Sequence, residues 1–229
     1  MNNISYIYNV PNLPKQENDL IGVVISLNKE HKQFHCGISF DLDSNEKVLH
    51  LQWYNDLVCD NGLDNFQCWI KPRIHRLIQE QISILCNVIK DRGEQGQKVP
   101  YGFLYDGSAK YSGIGQLTYS SNMSGLTCAT FVLTIFHSCG IDLIDVTKWP
   151  IRNDDISWQQ RIFRLLLQCT EKLGIPVSYL MRLRTEFGSA RFRPEEVAVS
   201  SALYDTPAAG ADNIQSEGEK LNQYMWSLC

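Results

Sequence analysis

Residues 34–53, FHCGISFDLDSNEKVLHLQW, predict a β-hairpin that carries two of the five histidines of the chain. Two alternating runs, HCGISFDL and KVLHLQWY, flank the polar turn DSNE, which is a hairpin signal. Successive strand residues point to opposite faces of a sheet. His35 therefore shares the polar face of the first strand with Gly37 and Ser39, and His50 lies on the polar face of the second. The hairpin places both histidines on one face.

The register of this hairpin depends on the length of its loop. A four-residue loop, Asp41 to Ser44, has Asp at the first position of a type I turn, where it is favoured. It would place His35 directly across from His50, and residues paired in this way share a face. A loop that differs by two residues keeps the histidines on one face but diagonal to each other. The sequence leaves the choice open.

Residues 126–140, LTCATFVLTIFHSCG, are apolar nearly all round and predict a buried helix. Either Thr127 or Ser124 can cap it, which places Cys128 in or beside the first turn. The free N–H groups and the positive end of the helix dipole favour a thiolate there. Cys139 lies at the opposite end, where the dipole opposes a thiolate, and is assigned to packing. Taken alone, Cys128 is also typical of a small buried helix residue.

Together these stretches resemble the circularly permuted, NlpC-like branch of the papain-fold cysteine hydrolases. That branch includes the lecithin–retinol acyltransferase group and a bacterial group of peptidases and amidases. Its members carry a strand motif His-x-Gly-Ile (here residues 35–38), a polar residue on the next strand (here His50) and a nucleophilic cysteine that opens a helix downstream (here Cys128). The match covers roughly residues 20–145. The acyltransferase group has an Asn-Cys-Glu-His signature, which Thr-Cys-Ala-Thr at 127–130 does not follow.

The resemblance implies an α+β, papain-like fold, with an antiparallel sheet packed on helices, and it implies no cofactor. It implies Cys128 as nucleophile, His35 as the base that activates it and then protonates the leaving group, and His50 as the group that orients His35. A second imidazole brings no negative charge, so it should raise the pKa of the base less than an aspartate would. The oxyanion donors would be the Cys128 backbone N–H and a second group, for which Tyr54 and Tyr111 are candidates.

Composition and charge narrow the class of protein. The hydrophobic fraction of 44% and the charged fraction of 20% allow a packed core. A net charge of −4 gives no basic surface for nucleic acid. No membrane span or signal peptide is predicted. We therefore expect a cytoplasmic location with reduced thiols, with export by a signal-independent machine left open. Cys59, Cys68 and His75 have irregular spacing and no fourth ligand, so we expect no metal site.

The character of the chain changes near residue 150. Before it, residues 20–27 predict a buried strand and residues 72–93 an amphipathic helix with Pro72 in its first turn. After it, residues 155–174 predict a strong amphipathic helix that two shorter ones follow. The expected division is a catalytic domain at 1–150, a helical appendage at 151–204 and a flexible tail at 205–229, whose last residues, LNQYMWSLC, could dock.

We expect a cysteine hydrolase that cleaves an amide, peptide or isopeptide bond through a thioester acyl-enzyme. Its partners would be a peptide, protein or acyl-amide substrate, with further contacts through the C-terminal helices. One alternative is a lipid or thioester acyl hydrolase or acyltransferase, which needs an apolar groove with helix 155–174 as a wall. Another is an inactive binding module, in which His35, His50 and Cys128 lie beyond hydrogen-bonding reach or Cys128 is sealed. Zinc held by these three residues ranks last, because no further ligand is evident.

Overall fold

The structure is a computed structural model that describes residues 6–10, 20–42, 45–204 and 210–228. The fold is α+β, and a six-stranded sheet has the order β1-β6-β2-β3-β4-β5 with antiparallel neighbours. The predicted α+β class and antiparallel sheet are confirmed. The strands of the sheet are β1 (Ile7–Asn9), β2 (Ile21–Asn28), β3 (Gln33–Leu42), β4 (Asn45–Trp53), β5 (Asp56–Asn61) and β6 (Cys68–Ile70), and a separate ribbon contains β7 (Lys110–Tyr111) and β8 (Leu117–Thr118).

Seven α-helices lie within these residues, and three of them pack on the sheet. Helices α1, α2 and α6 contact β3, and α6 also contacts β2, β6 and α7. The helices are α1 (Arg76–Glu94), α2 (Cys128–Ser138), α3 (Asp155–Gln168), α4 (Thr170–Leu173), α5 (Val177–Arg184), α6 (Pro194–Ala202) and α7 (Ala211–Ser227). Within the described part of the chain, no helix has the length and apolar character that a membrane-spanning segment needs.

The start of α2 follows the sequence prediction. Thr127 is the N-cap: its Oγ1 accepts from the Thr130 N–H at 3.1 Å, and its own N–H donates to Thr130 Oγ1 at 2.7 Å. This reciprocal pair satisfies two N–H groups at the helix start and makes Cys128 the first helical residue. Helix α1 starts later than predicted, because His75 caps it and Pro72 lies outside the first turn.

The β3–β4 register differs by two residues from the one that a four-residue loop would give. Leu42 pairs with Asn45, and Ile38 pairs with Leu49. Continued in the same register, Gly37 rather than His35 lies opposite His50. The histidines are therefore diagonal neighbours on one face of the sheet, which is the alternative that the sequence left open.

Strands β3 and β4 part at the histidines. Their ladder ends at the pair Ile38–Leu49, although β3 extends back to Gln33 and β4 forward to Trp53. Gly37 lies at this point, where an added Cβ would be 2.8 Å from the Cβ of His50 and 3.0 Å from the Leu49 carbonyl oxygen. The absence of a side chain at Gly37 thus lets His50 lie directly against β3.

The C-terminal third of the chain differs from the expected appendage and tail. Val197 and Ala198 of α6 are fully buried in the main core, beneath the sheet. Part of the predicted flexible tail forms α7, whose buried Ile214 and Leu221 share one face. The largely polar sequence of this segment gave no signal for a buried helix. Gly218 leaves room for α7 to pack closely against Glu196 of α6. Residues 205–209 lie outside the described residues.

The predicted helix 155–174 is interrupted. Helix α3 ends at Gln168, and Cys169 separates it from the short α4, which ends at Leu173. Gly174 caps α4 with a left-handed φ of 61°, a conformation that glycine reaches without a Cβ penalty.

Gly37→Ala should destabilise the fold, because the new methyl group must displace His50 or the backbone of β4. We expect the free energy of unfolding to fall by about 1–3 kcal/mol, the usual cost of overpacking. Urea denaturation measures this difference. Gly113→Ala is the matched control, since a methyl group there meets no atom within 4 Å. Equal stability of the two variants would contradict the tight contact at Gly37.

Candidate active site

The two hairpin histidines are in direct contact. His35 Nε2 and His50 Nδ1 are 2.8 Å apart, and the rings meet edge to face. The Phe66 ring lies against both, with centroids 6.2 Å from His35 and 5.5 Å from His50. In the diagonal register, the His35 and His50 side chains both extend into the space where β3 and β4 separate. Their rings therefore meet there.

Asp60 of β5 extends this pair into a chain of three groups. His50 Nε2 lies 3.3 Å from Asp60 Oδ2, which also accepts from the Asn65 side-chain amide at 2.9 Å. Asp60 pairs with Val48 in the β4–β5 ladder, two residues from His50 on the same face. Sequence reasoning missed this carboxylate because it did not identify β5.

These contacts assign the protons on both rings. The Asp60 carboxylate only accepts hydrogen bonds, so His50 Nε2 carries a hydrogen and donates to it. In neutral His50, Nδ1 is then bare and accepts from His35 Nε2–H. The remaining nitrogen of His35, Nδ1, is free to take a proton. A general base needs a bare ring nitrogen of this kind.

His50 is suited to remain neutral. Burial and the charge of neighbouring His35 lower its pKa below the ordinary value of 6.5, and Asp60 only partly opposes this. Between the folded and unfolded pKa values the unfolded chain binds more protons, so folding stability rises with pH there. This gain in folding stability from His50 is complete above pH 6.5, and it is lost as the pH falls from 6.5 towards the pKa of His50 in the folded protein.

Cys128 lies beside both His35 and Cys36. A hydrogen bond from the Cys36 thiol, the charge and hydrogen bond of His35 and the Cys36 backbone N–H hold the pKa of Cys128 well below its ordinary value, against the effect of burial. Burial raises the pKa of Cys36, so Cys36 remains a thiol and a donor. Cys128 is only partly buried. The three residues predicted from the sequence are therefore brought together, and the role of Cys36 was missed.

The segment before Cys128 is held from the C-terminal third of the chain. The buried Glu186 carboxylate accepts from the backbone N–H groups of Phe103 at 2.6 Å, Leu104 at 3.0 Å and Ser124 at 2.5 Å. Arg182 Nε donates to Ser124 Oγ at 3.2 Å. A carboxylate with several N–H donors is strongly held. Glu186 thus fixes the strand-like segments that lead into α2.

A groove of about 600 Å³ exposes the histidine pair. His35, His50 and Asp60 form part of its lining, and Leu165 of α3 forms part of another wall. Hydroxyl and amide side chains contribute most of the other polar groups. These are Ser26, Asn28, Gln33, Gln52 and Asn65.

Cys128 opens into a separate narrow crevice of about 10 Å³, which is room for roughly one water. Gln33 and Phe34 line both spaces. Neither oxyanion candidate from the sequence, Tyr54 or Tyr111, is among the described residues that line the crevice. The Tyr54 ring packs against Tyr179, and the Tyr111 ring packs against Phe131 in the core.

The part of the chain that the structure describes contains no cluster of side chains suited to bind a metal ion. No group of three or more His, Cys, Asp or Glu side chains there could hold a metal ion. The seven cysteines among the same residues are free thiols.

Comparisons with known proteins give no relative. No protein-family model, curated protein or solved structure matches the chain significantly. The resemblance to permuted NlpC-like hydrolases therefore remains a prediction from short motifs.

Asp60→Asn should disturb the protons on both histidines. An amide N–H₂ facing His50 Nε2 would shift the His50 hydrogen to Nδ1, towards His35, and so oppose protonation of His35. We expect a lower His50 pKa by NMR titration and a loss of Cys128 alkylation near pH 6 of about tenfold, equivalent to one pKa unit.

Asp64→Asn is the matched control, because Asp64 is an exposed carboxylate on the same segment. This variant should leave the His50 pKa and the rate of Cys128 alkylation unchanged. An unaltered His50 titration in Asp60→Asn would contradict the assignment of Asp60 as its partner.

Proposed function

We propose that this protein is a cysteine hydrolase of the permuted, NlpC-like papain type, which cleaves an amide, peptide or isopeptide bond through a thioester. The proposal rests on the contacts that connect Cys128, His35, His50 and Asp60 in this order. These residues would supply a nucleophile, a base, an orienting group and a carboxylate. An inactive binding module has no need of a lowered thiol pKa at a helix start beside such a chain. The nucleophile–base–orienter order follows roles rather than position along the chain.

The proposed reaction has two halves. His35 Nδ1 takes the Cys128 proton, and the thiolate attacks the substrate carbonyl carbon to form a C–S bond. The tetrahedral intermediate collapses as the C–N bond breaks, and His35 returns the proton to the leaving amine. Water, deprotonated by the same nitrogen, then cleaves the thioester, releases the acid and restores the thiol.

The groove supports a peptide-like substrate. Its hydroxyl and carboxamide side chains can donate to and accept from amide groups, whereas an acyl chain offers no hydrogen bonds. No Lys or Arg is among the described residues that line it, so its only side chains that can carry a positive charge are histidines. Neutral, amide-rich segments are the substrate chemistry that matches it.

Cys128 should be the most reactive thiol at low pH. Its lowered pKa favours the thiolate, whereas burial raises the pKa of Cys59 and raises that of Cys139 to about 11. We expect iodoacetamide to alkylate Cys128 well below the ordinary thiol pKa of about 8.5. Site-by-site mass spectrometry across a pH series measures this. His35→Ala should abolish the reaction at low pH.

His137→Ala is the matched control, because it removes a histidine and its 2.6 Å contact with Asp142 at the other end of α2. It should leave Cys128 reactivity unchanged. If Cys128 reacts no faster than Cys59 or Cys139 in the wild type, the hydrolase proposal fails and a binding module takes its place.

The second candidate is a lipid or thioester acyl hydrolase or acyltransferase, and one observation favours it. Leu165 is 41% exposed and lines the groove. Phe34 and Phe66 add apolar surface to the groove. An acyl chain placed along this wall would contact apolar side chains, whereas the hydroxyl and amide side chains of the same groove match an amide segment.

Two esters distinguish the candidates. The amide proposal predicts that 4-nitrophenyl acetate and the corresponding dodecanoate acylate Cys128 at similar rates. An acyl groove would favour the longer chain by more than about tenfold, since each buried CH₂ contributes about 0.8 kcal/mol. Leu165→Gln should then remove the preference, whereas Leu77→Gln, at an exposed position on α1, should not. Nitrophenolate release measures both rates.

A further inference from the structure

The crevice at Cys128 contains hydrogen-bond donors that lack partners. Trp158 and Arg191 line it together with Tyr101 and Cys128. Arg191 Nε and Trp158 Nε1 are both buried and have no hydrogen-bond partner. An orphaned buried donor is costly and calls for an explanation, such as a water, an ion or a catalytic role. Two such donors on residues that line one crevice make it a candidate site for an acceptor.

Arg191 is held rigidly at this place. Its backbone N–H donates to Asp155 Oδ2 at 3.3 Å, and its carbonyl oxygen accepts from Trp149 Nε1 at 3.2 Å. The guanidinium lies over the Trp158 ring, 4.1 Å from the centroid. Stacking of this kind orients the planar group and leaves its edge free to donate. The donor is therefore positioned before any ligand arrives.

The charges around Arg191 leave it available to an acceptor in the crevice. Burial lowers the pKa of its guanidinium, and Glu195 and Asp155 act in the opposite direction. Arginine nonetheless remains protonated in proteins. Asp155 Oδ2 accepts from the backbone N–H groups of Arg152 and Arg191, and neither Asp155 Oδ1 nor Glu195 Oε2 has a hydrogen-bond partner, so both carboxylates act on the Arg191 guanidinium through charge alone. The positive charge is thus present without a fixed partner at Nε.

We propose that this crevice is the oxyanion site and that Arg191 Nε–H, together with backbone N–H groups at the start of α2, donates to the oxygen of the tetrahedral intermediate. The inference rests on the proposed hydrolase function. The crevice has room for roughly one water, which is the size of a single oxygen atom. Helix α2 supplies free N–H groups and the positive end of its dipole at Cys128.

In this step the Cys128 sulfur forms a bond to the carbonyl carbon, and the C=O π electrons move to the oxygen. Arg191 and the backbone donors stabilise the resulting negative charge. An electron pair of the oxygen then re-forms the C=O bond, the C–N bond breaks, and the amine departs with its bonding pair and the proton from His35. Donors fixed in advance are effective because they need not reorient during the reaction.

The test compares a reaction that forms an oxyanion with one that does not. Acylation of Cys128 by 4-nitrophenyl acetate passes through a tetrahedral oxyanion, whereas alkylation by iodoacetamide displaces iodide without one. Arg191→Gln should slow acetylation of Cys128 by about 100-fold, as for loss of an oxyanion-hole donor. Alkylation should continue at the wild-type rate. Mass spectrometry identifies the modified cysteine in both reactions.

Arg193→Gln is the matched control, because Arg193 lies two residues away and pairs with Asp154 at 2.8 Å. It should acetylate at the wild-type rate. Should Arg191→Gln fail to fold, Arg191→Lys retains the charge but not the Nε–H, and should still slow acetylation by about tenfold or more.

Each outcome has a distinct meaning. Wild-type acetylation in the folded Arg191 variant, with normal alkylation, would overturn the oxyanion role and leave the hydrolase proposal intact. Equal slowing of both reactions would also overturn it, because Arg191 would then act on the thiol. A wild-type Cys128 that resists alkylation at low pH would overturn the hydrolase proposal, and the oxyanion site with it.

Discussion

The geometry of the site depends on one close approach, between Gly37 and His50. A Cβ at Gly37 would come within 2.8 Å of the His50 Cβ, so only glycine lets β4 lie this near as the strands part. That approach places His50 Nδ1 against His35 Nε2. Because one His35 nitrogen is thereby committed, only the other can serve Cys128. In the proposed hydrolase, a backbone constraint would thus decide which atom acts as the base.

The C-terminal third of the chain completes the site instead of standing apart from it. Glu186 holds the segments that lead into α2 through three backbone N–H groups. Trp158 and Arg191 close the crevice over Cys128. Helix α6 lies in the main core beside β2 and β3. Removal of the chain after residue 150 would therefore expose core residues and release the segment that leads into Cys128.

Local patterns of the sequence were enough to predict part of the site, and its distant contacts were not predictable. Side-chain parity placed His35 and His50 on one face, and the Thr127 cap placed Cys128 at a helix start, because both depend on neighbouring residues. The register depended on two residues of loop length, which composition does not determine. Asp60 and Arg191 join the site only through tertiary packing, and no periodicity marks either residue.

The two histidines solve a problem of charge. In the proposed hydrolase a thiolate at Cys128 would pair with a cation at His35, and two adjacent imidazolium groups would repel each other. Burial and the His35 charge lower the pKa of His50, which disfavours a second positive charge on its ring. His50 passes the influence of the Asp60 carboxylate to His35 through a hydrogen bond while remaining neutral. Neighbouring groups whose pKa values are driven apart in this way can take different parts in one reaction.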